Sequence, residues 1–313
     1  MNILEVEDLH VVARIGGRDY TAIDHISFSV AKGHARGLVG ESGSGKSLTL
    51  RAIMGLLPSN VRVASGSIRF DGKELLNDKG VHLKNVLGSG ISMVFQEPSV
   101  ALNPVMKIGK QITDSLMEHE NLNRKQGREI AIDLMNQVGI KNPEKRVDDY
   151  PFQLSGGMKQ RVMIAAAIAC RPELILCDEP TTALDVTIQA QIIELFKTLR
   201  SDLKVSLLYV THDIGVVAQL CDAISVMYSG RIVEQADSIG KVFARPQHAY
   251  TKALLSAVPR IDGPIQRLKG MNSTSPSLTQ RAESVAPGMI TVEDGWEIAP
   301  TDDESLHKSW SEN

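Results

Sequence analysis

Residues Gly40-Glu41-Ser42-Gly43-Ser44-Gly45-Lys46-Ser47 fit the pattern GxxxxGK[ST], and the chemistry that suits this order is the holding of phosphates. Glycines let backbone N–H groups close around an anion, and the start of a following helix adds partial positive charge. The Lys46 ammonium can reach terminal phosphates, and the Ser47 hydroxyl suits a magnesium ion. Leu48 opens the helical stretch to Leu56 and completes the cradle. Such a loop specifies a nucleotide site but no particular reaction. Taken alone, it competes with a glycine-rich turn that binds nothing.

A second group supplies reactive carboxylates. Leu174-Ile175-Leu176-Cys177 reads as a buried strand that runs into Asp178-Glu179. Neighbouring side chains on a strand point to opposite sides, so the two acids can divide the work. Asp178 suits magnesium held through water, and Glu179 suits a general base that polarises an attacking water. Two solvated turn acids are the plain alternative. Farther up the chain, Leu154-Ser155-Gly156-Gly157-Met158-Lys159-Gln160 precedes an apolar helix, Val162 to Cys170. Ser155, Gly156 and Gly157 at a helix start form either a second anion site or an ordinary cap. One nucleotide does not need two such loops from one subunit. Two chains paired head to tail, each offering its Ser155-Gly156-Gly157 loop to phosphate held by the other, account for both.

The elements that must position these groups follow from hydrophobic spacing. Ala35 to Val39, Ile91 to Phe95, Leu174 to Cys177, Ser206 to Val210 and Ala223 to Tyr228 are apolar runs of strand length separated by longer segments of helical period. That alternation predicts an α/β fold with a mostly parallel sheet. From Pro98 to about Gln160 strands give way to helical spacing, as in Ile108 to Glu120 and Gln126 to Val138, which predicts a helical subdomain at about 98–160 inserted into the core. Ile3 to Val12 and Ile23 to Val30 alternate apolar with polar residues and predict a small antiparallel β-layer.

The 313 residues are 42% hydrophobic and 23% charged, enough for one large or two smaller globular domains. No run of about 18 apolar residues occurs, and acidic residues stand in MNILEVEDLH where a signal peptide needs a basic and then an apolar stretch, so a cytoplasmic protein is expected. Cys170, Cys177 and Cys221 are odd in number and lack CxxC spacing, which predicts buried thiols rather than a disulfide or zinc framework. A net charge of −3 excludes a globally basic nucleic-acid binder. Residues 271–313 hold eight acidic against two basic side chains among Ser, Thr and Pro, and read as a poor core former.

Taken in order and spacing, these motifs resemble the ATP-binding-cassette family over residues 1 to about 260, its signature LSGGQ standing here as LSGGM. The resemblance implies a P-loop NTPase core, ATP and Mg2+ as ligands, and roles for further residues. Gln96 matches the glutamine loop that reaches magnesium and the attacking water. Ala183-Leu184-Asp185 matches a loop that communicates across the dimer, and His212 matches the switch histidine at the terminal phosphate. An aromatic ring usually packs on adenine in the loop before the second strand; Tyr20 is the nearest candidate, with Ile15 an alternative.

Several stretches resemble the importers of dipeptides, oligopeptides and nickel: Tyr150-Pro151-Phe152-Gln153, Asp178 to Thr187, Gly215-Val216-Val217-Ala218 and His248 to Leu255. Met158 is usual in that group. Its members often carry an iron–sulfur cysteine cluster in a C-terminal extension, and no cysteine follows Cys221, although residues 286–298, APGMITVEDGWEI, resemble the end of such an extension. The expectation is an importer ATPase with a cassette at 1–260 and an acidic extension at 261–313, at the cytoplasmic face of a bacterial inner membrane. Expected partners are a second cassette subunit, two permease subunits and, indirectly, an extracytoplasmic solute-binding protein, with no nucleic acid. The competing class is a soluble cassette protein of DNA repair or translation, which needs a long coiled-coil insertion or a second cassette; neither is in the sequence. A phosphate-loop kinase has no use for LSGGM.

Overall fold

A computed structural model describes residues 1–77, 80–81, 86–120, 122–182, 184–256 and 289–299. The chain divides into two compact units, Met1–Leu83 with Tyr209–Asn313, and Lys84–Leu208.

In the first unit the strand Ala35–Val39 is buried at all five positions, as its unbroken apolar run demands. It pairs in parallel with Ala223–Tyr228, from Ala223 opposite Arg36 to Val226 opposite Val39. The chain then turns back, and Arg231–Ala236 pairs antiparallel to Ala223–Tyr228. A Cβ on Gly37 would lie 2.3 Å from Val217 Cγ1, so glycine here lets the helix Ile214–Leu220 press onto the sheet.

A separate antiparallel layer is built from Asn2–Ile15, Arg18–Ala31 and Val61–Phe70. The first two strands run well past Ile3 to Val12 and Ile23 to Val30. Ladder hydrogen bonds continue to the turn at Gly16 and Gly17, φ +57° and +82°, where side-chain alternation has already ended. Tyr20 therefore lies inside the second strand, opposite Ala13, rather than in a loop before it.

In the second unit Ile91–Val94 pairs in parallel with Leu174–Asp178. Helices Ile108–His119 and Arg124–Gln137 occupy the stretch of helical spacing, and Asn123 with Gln126 forms a capping box at the start of the latter. Helix Gly156–Ile168 buries Val162, Met163, Ile164, Ala165, Ala167 and Ile168, which accounts for its apolar character on nearly every side. The helix Val186–Leu203 follows the acidic strand, and Ser206–Thr211, buried throughout, carries the chain back to the first unit.

The acidic end is not uniformly poor in core. Ile290–Glu293 and Trp296–Ile298 form a hairpin, and the latter strand pairs with Arg231–Ala236, placing Trp296 opposite Ala236. Trp296 is 1% exposed. A large aromatic buries about 150–250 Å2, which at roughly 25 cal/mol per Å2 contributes on the order of 4–6 kcal/mol before ordering costs. One such ring and an open strand edge are enough to anchor an otherwise polar segment. The remainder of the extension, with Ala286 to Gly288, lies outside the described residues.

The three cysteines are free thiols; Cys177 and Cys221 are buried, and Cys170 is only half-buried. Among the described residues no helix is long and apolar enough to cross a membrane.

Candidate functional site

The strand Ala35–Val39 delivers the chain into a loop whose shape demands glycine at two positions, 40 and 45. Gly40 has φ +157°, and a Cβ there would sit 2.0 Å from the backbone oxygen of Met227. Gly45 has φ +112°, and its Cβ would meet Met227 Cε at 2.7 Å. Ser44 is fully buried; its N–H donates to the Glu41 carbonyl at 3.2 Å and its own carbonyl accepts from the Gly230 N–H at 2.8 Å. These contacts tie the loop to the turn after Ala223–Tyr228.

Gly43, at φ +80°, faces open space. Ser42 is exposed beside it, while Ser47 and Leu48 are half-buried at the start of helix Lys46–Ile53. Lys46 is 3% exposed, its Nζ donating to the carbonyls of Gly40 and Glu41 at 2.8 Å each. The ammonium is thus curled inside the loop, where an anion would compete for it. Ser44 Oγ is buried with no hydrogen-bond partner among the described residues, an orphan that an acceptor arriving at the loop could satisfy. A loop with one open glycine face, a buried lysine and an orphaned hydroxyl fits a polyphosphate.

Two outcomes follow from this packing. Gly40→Ala places a methyl against a backbone oxygen that has no route to move, so unfolding experiments are expected to show a loss of roughly 2–3 kcal/mol. Burial raises the carboxyl pKa of Glu41 above the usual carboxylate range, with the Lys46 charge opposing it. A raised folded pKa means that ionised Glu41 costs stability above that pKa and costs nothing below the unfolded value. Glu41→Gln is therefore expected to raise the melting temperature at pH 7 to 8, with the gain disappearing as the pH falls below about 4.

The acids are held by the second unit. Leu174–Asp178 is wholly buried, and Asp178 and Glu179 are 3% and 8% exposed at its carboxyl end. Glu179 takes φ +43°, a left-handed conformation that a non-glycine residue adopts only where its surroundings impose it. Its Oε2 accepts from the Thr182 Oγ1 hydroxyl at 2.8 Å, which fixes the carboxylate's direction. Thr182 lies in a stretch that carried the subfamily resemblance, and nothing in its type or spacing marked it as a partner of Glu179. Gln96 is exposed just after Ile91–Val94, the parallel neighbour of the acidic strand, so Gln96 and Asp178 emerge from the same end of that pair.

At the signature, Ser155 is the N-cap of Gly156–Ile168, its Oγ accepting from the Met158 N–H at 3.4 Å. Ser155 and Gly156 are exposed. A Cβ on Gly157 would lie 2.8 Å from Ile188 Cγ2, so this glycine lets the helix start approach Val186–Leu203. Asp185 caps that second helix, accepting from the Ile188 N–H at 3.0 Å. Val186 beside it is 83% exposed. Ala183 lies outside the described residues.

In the first unit His212 is exposed after Ser206–Thr211, where Asp213 caps the next helix through the N–H groups of Gly215 and Val216. Tyr20 is half-buried, two residues from Ala22, whose carbonyl oxygen is 3.5 Å from the position of a Gly45 Cβ. Ile15 is 41% exposed at the hairpin end. Tyr250 was missed as a site residue: fully buried, it accepts the Glu41 N–H at 2.9 Å through its hydroxyl. The string His248-Ala249-Tyr250-Thr251 was visible only as a mark of resemblance.

Residues 23–182 match the family model described as ABC transporter. The chain belongs to the ABC transporter ATPase family. Residues 233–286 match a second model, the oligopeptide/dipeptide transporter C-terminal region. The oligopeptide transport ATP-binding protein OppD of Bacillus subtilis (strain 168) is 45% identical over 279 residues, 88% of this chain and 78% of that protein. The dipeptide transport ATP-binding protein DppD of Escherichia coli (strain K12) is 43% identical over 311 residues, 94% of this chain and 95% of that protein. Among solved structures, a dimeric ATP-binding cassette in a post-hydrolysis state with ADP and Pi is 26% identical with a TM-score of 0.65, covering 74% of this chain and 97% of that one. CbiO1 of Clostridium perfringens, part of the CbiONQ transporter complex, is 27% identical with a TM-score of 0.66, covering 78% and 91%. The P-loop NTPase fold and the ATPase activity expected from the sequence are those of this family.

Proposed function

We propose that this ABC transporter ATPase energises the import of peptides across a bacterial inner membrane, working from its cytoplasmic face. The observation that carries the reading is the presence in one chain of the phosphate loop at 40–47 and an oligopeptide/dipeptide transporter C-terminal region at 233–286.

ATP phosphates lie in the amides of Gly40 to Leu48, and Lys46 exchanges its two carbonyl partners for phosphate oxygens. Ser47, Gln96 and Asp178 offer only oxygen donors, a hydroxyl, an amide and a carboxylate, which suits Mg2+ over softer metals. When bound, that ion supplies charge neutralisation on the phosphates. Glu179, aimed by Thr182, takes the proton of the attacking water, and His212 contacts the terminal phosphate. Tyr20 packs on adenine from the strand that passes Gly45.

Ser155, Gly156 and Gly157 serve the nucleotide held by a second cassette subunit in a head-to-tail dimer, and exposed Val186 belongs to the same dimer face. The helical subdomain at about 98–160 docks on a short cytoplasmic helix of one of the two permease subunits. Val100, Val105 and Phe152 are 79%, 82% and 72% exposed, apolar side chains of the kind a protein partner covers. An extracytoplasmic solute-binding protein selects the peptide. Affinity purification of the full chain from detergent-solubilised membranes tests the assignment. Two permease chains and a second cassette are expected to co-purify; recovery with ribosomes or DNA-repair proteins instead would overturn it.

A further inference from the structure

Glu234 lies on the strand Arg231–Ala236 with no exposed surface, and its carboxyl group is satisfied by N–H donors from two different parts of the chain. Oε1 accepts from Trp296 Nε1 and from the Gln247 N–H, both at 3.0 Å; Oε2 accepts from the His248 N–H at 3.0 Å. The C-terminal hairpin and the segment leading into helix Ala249–Ser256 are thereby tied to one side chain. His248, 5% exposed, accepts the Tyr250 N–H on Nδ1 at 3.1 Å and so orients the first turn of that helix.

Tyr250 carries the connection into the phosphate loop. Its ring lies 4.6 Å from that of Tyr228, the residue after Met227, which in turn packs against Gly40 and Gly45. Its hydroxyl accepts the Glu41 N–H. That bond fixes the peptide unit between Gly40 and Glu41, and the carbonyls of these same two residues hold the Lys46 ammonium. A rotation of this peptide moves both the amide cradle and the lysine. An unbroken path of hydrogen bonds therefore runs from Trp296 through Glu234, His248 and Tyr250 to Glu41.

We propose that Tyr250 is a positioning residue for the phosphate loop and that the C-terminal hairpin, through Trp296 and Glu234, sets where Tyr250 sits, so that residues 290–298 govern affinity for ATP. The extension is then a regulatory handle on nucleotide binding, and displacing the hairpin from Arg231–Ala236 weakens it. This rests on the loop's role in holding ATP.

The test uses the full chain, with ATPase kinetics and melting temperature measured side by side. Tyr250→Phe keeps the ring against Tyr228 and removes the hydroxyl that accepts the Glu41 N–H. It is expected to raise KM for ATP about fivefold, the effect of one lost hydrogen bond, with kcat within about twofold. Trp296→Phe keeps an aromatic ring in the core and removes the donor to Glu234; KM is expected to rise about two- to threefold. Because both act along one path, the double variant should be no weaker than Tyr250→Phe alone. An unchanged KM in Tyr250→Phe would overturn the positioning role. A lowered melting temperature with unchanged KM in Trp296→Phe would make the hairpin merely structural. Lys46→Ala serves as the reference: ATP binding that survives it refutes the loop's role in holding ATP, whereas ATP binding lost there and unchanged in Tyr250→Phe refutes only the inference drawn from the path.

Discussion

Glu179→Gln is expected to bind ATP with near-normal affinity and to turn over roughly 10²–10⁴ times more slowly than the unaltered chain. The amide matches the carboxylate in size and keeps an oxygen for the Thr182 hydroxyl, which lies 2.8 Å from Oε2 in the native side chain. It has no basic oxygen to take a proton from water. The strained conformation of residue 179, φ +43°, is imposed by the backbone around it and should survive the change. Binding and chemistry are thus expected to separate: nucleotide accumulates in the bound state, and the proposed cassette pair is expected to stay closed because the reaction that would reopen it is blocked. Equilibrium ATP binding and single-turnover hydrolysis on the same preparation read both quantities. Wild-type turnover would remove Glu179 from the role of base.

A mixed pair carrying Lys46→Ala in one chain and Ser155→Arg in the other is expected to retain one working site of two. In the proposed head-to-tail dimer Lys46 acts on the nucleotide of its own chain, whereas Ser155 serves the nucleotide of the partner. One composite site then collects both lesions and the other collects neither. The arginine is well suited to the purpose, since Ser155 and Gly156 are exposed at the helix start and a long side chain there obstructs the facing surface without entering its own core. Where two unlike cassettes assemble with the permease, the lesions belong in that pair. Occupancy of one ATP per dimer is the expected result. Two ATP bound at wild-type affinity, or none, would contradict the head-to-tail arrangement.

Backbone positions set by burial were legible in the sequence. Ala35 to Val39 and Leu174 to Cys177 are apolar at every position, and a strand buried on both faces leaves no other composition open. Two glycine positions of the loop at 40–47 were legible for a related reason: Gly40 and Gly45 stand where a Cβ collides with Met227. The limits of the antiparallel layer were not, since main-chain bonds extend Arg18–Ala31 through Arg18, Asp19 and Tyr20 without help from apolar spacing. Polar partners separated along the chain were also beyond reach. Nothing near Glu41 announces Tyr250, 209 residues away, and nothing near Glu234 announces Trp296. In the acidic extension the composition argued against a core, and one tryptophan with a strand edge to pair against outweighed it locally.

The claim that hydrolysis on this cassette drives peptide import is tested most directly by uptake into vesicles. The purified complex is reconstituted into proteoliposomes with its ATPase domains facing an ATP-filled lumen, and a labelled oligopeptide with its binding protein is supplied outside. Peptide is expected to accumulate inside only when ATP and Mg2+ are enclosed, and accumulation should vanish with Glu179→Gln while the complex still assembles. ATP consumed at the normal rate with no peptide gained, for any peptide that the binding protein captures, would contradict the account.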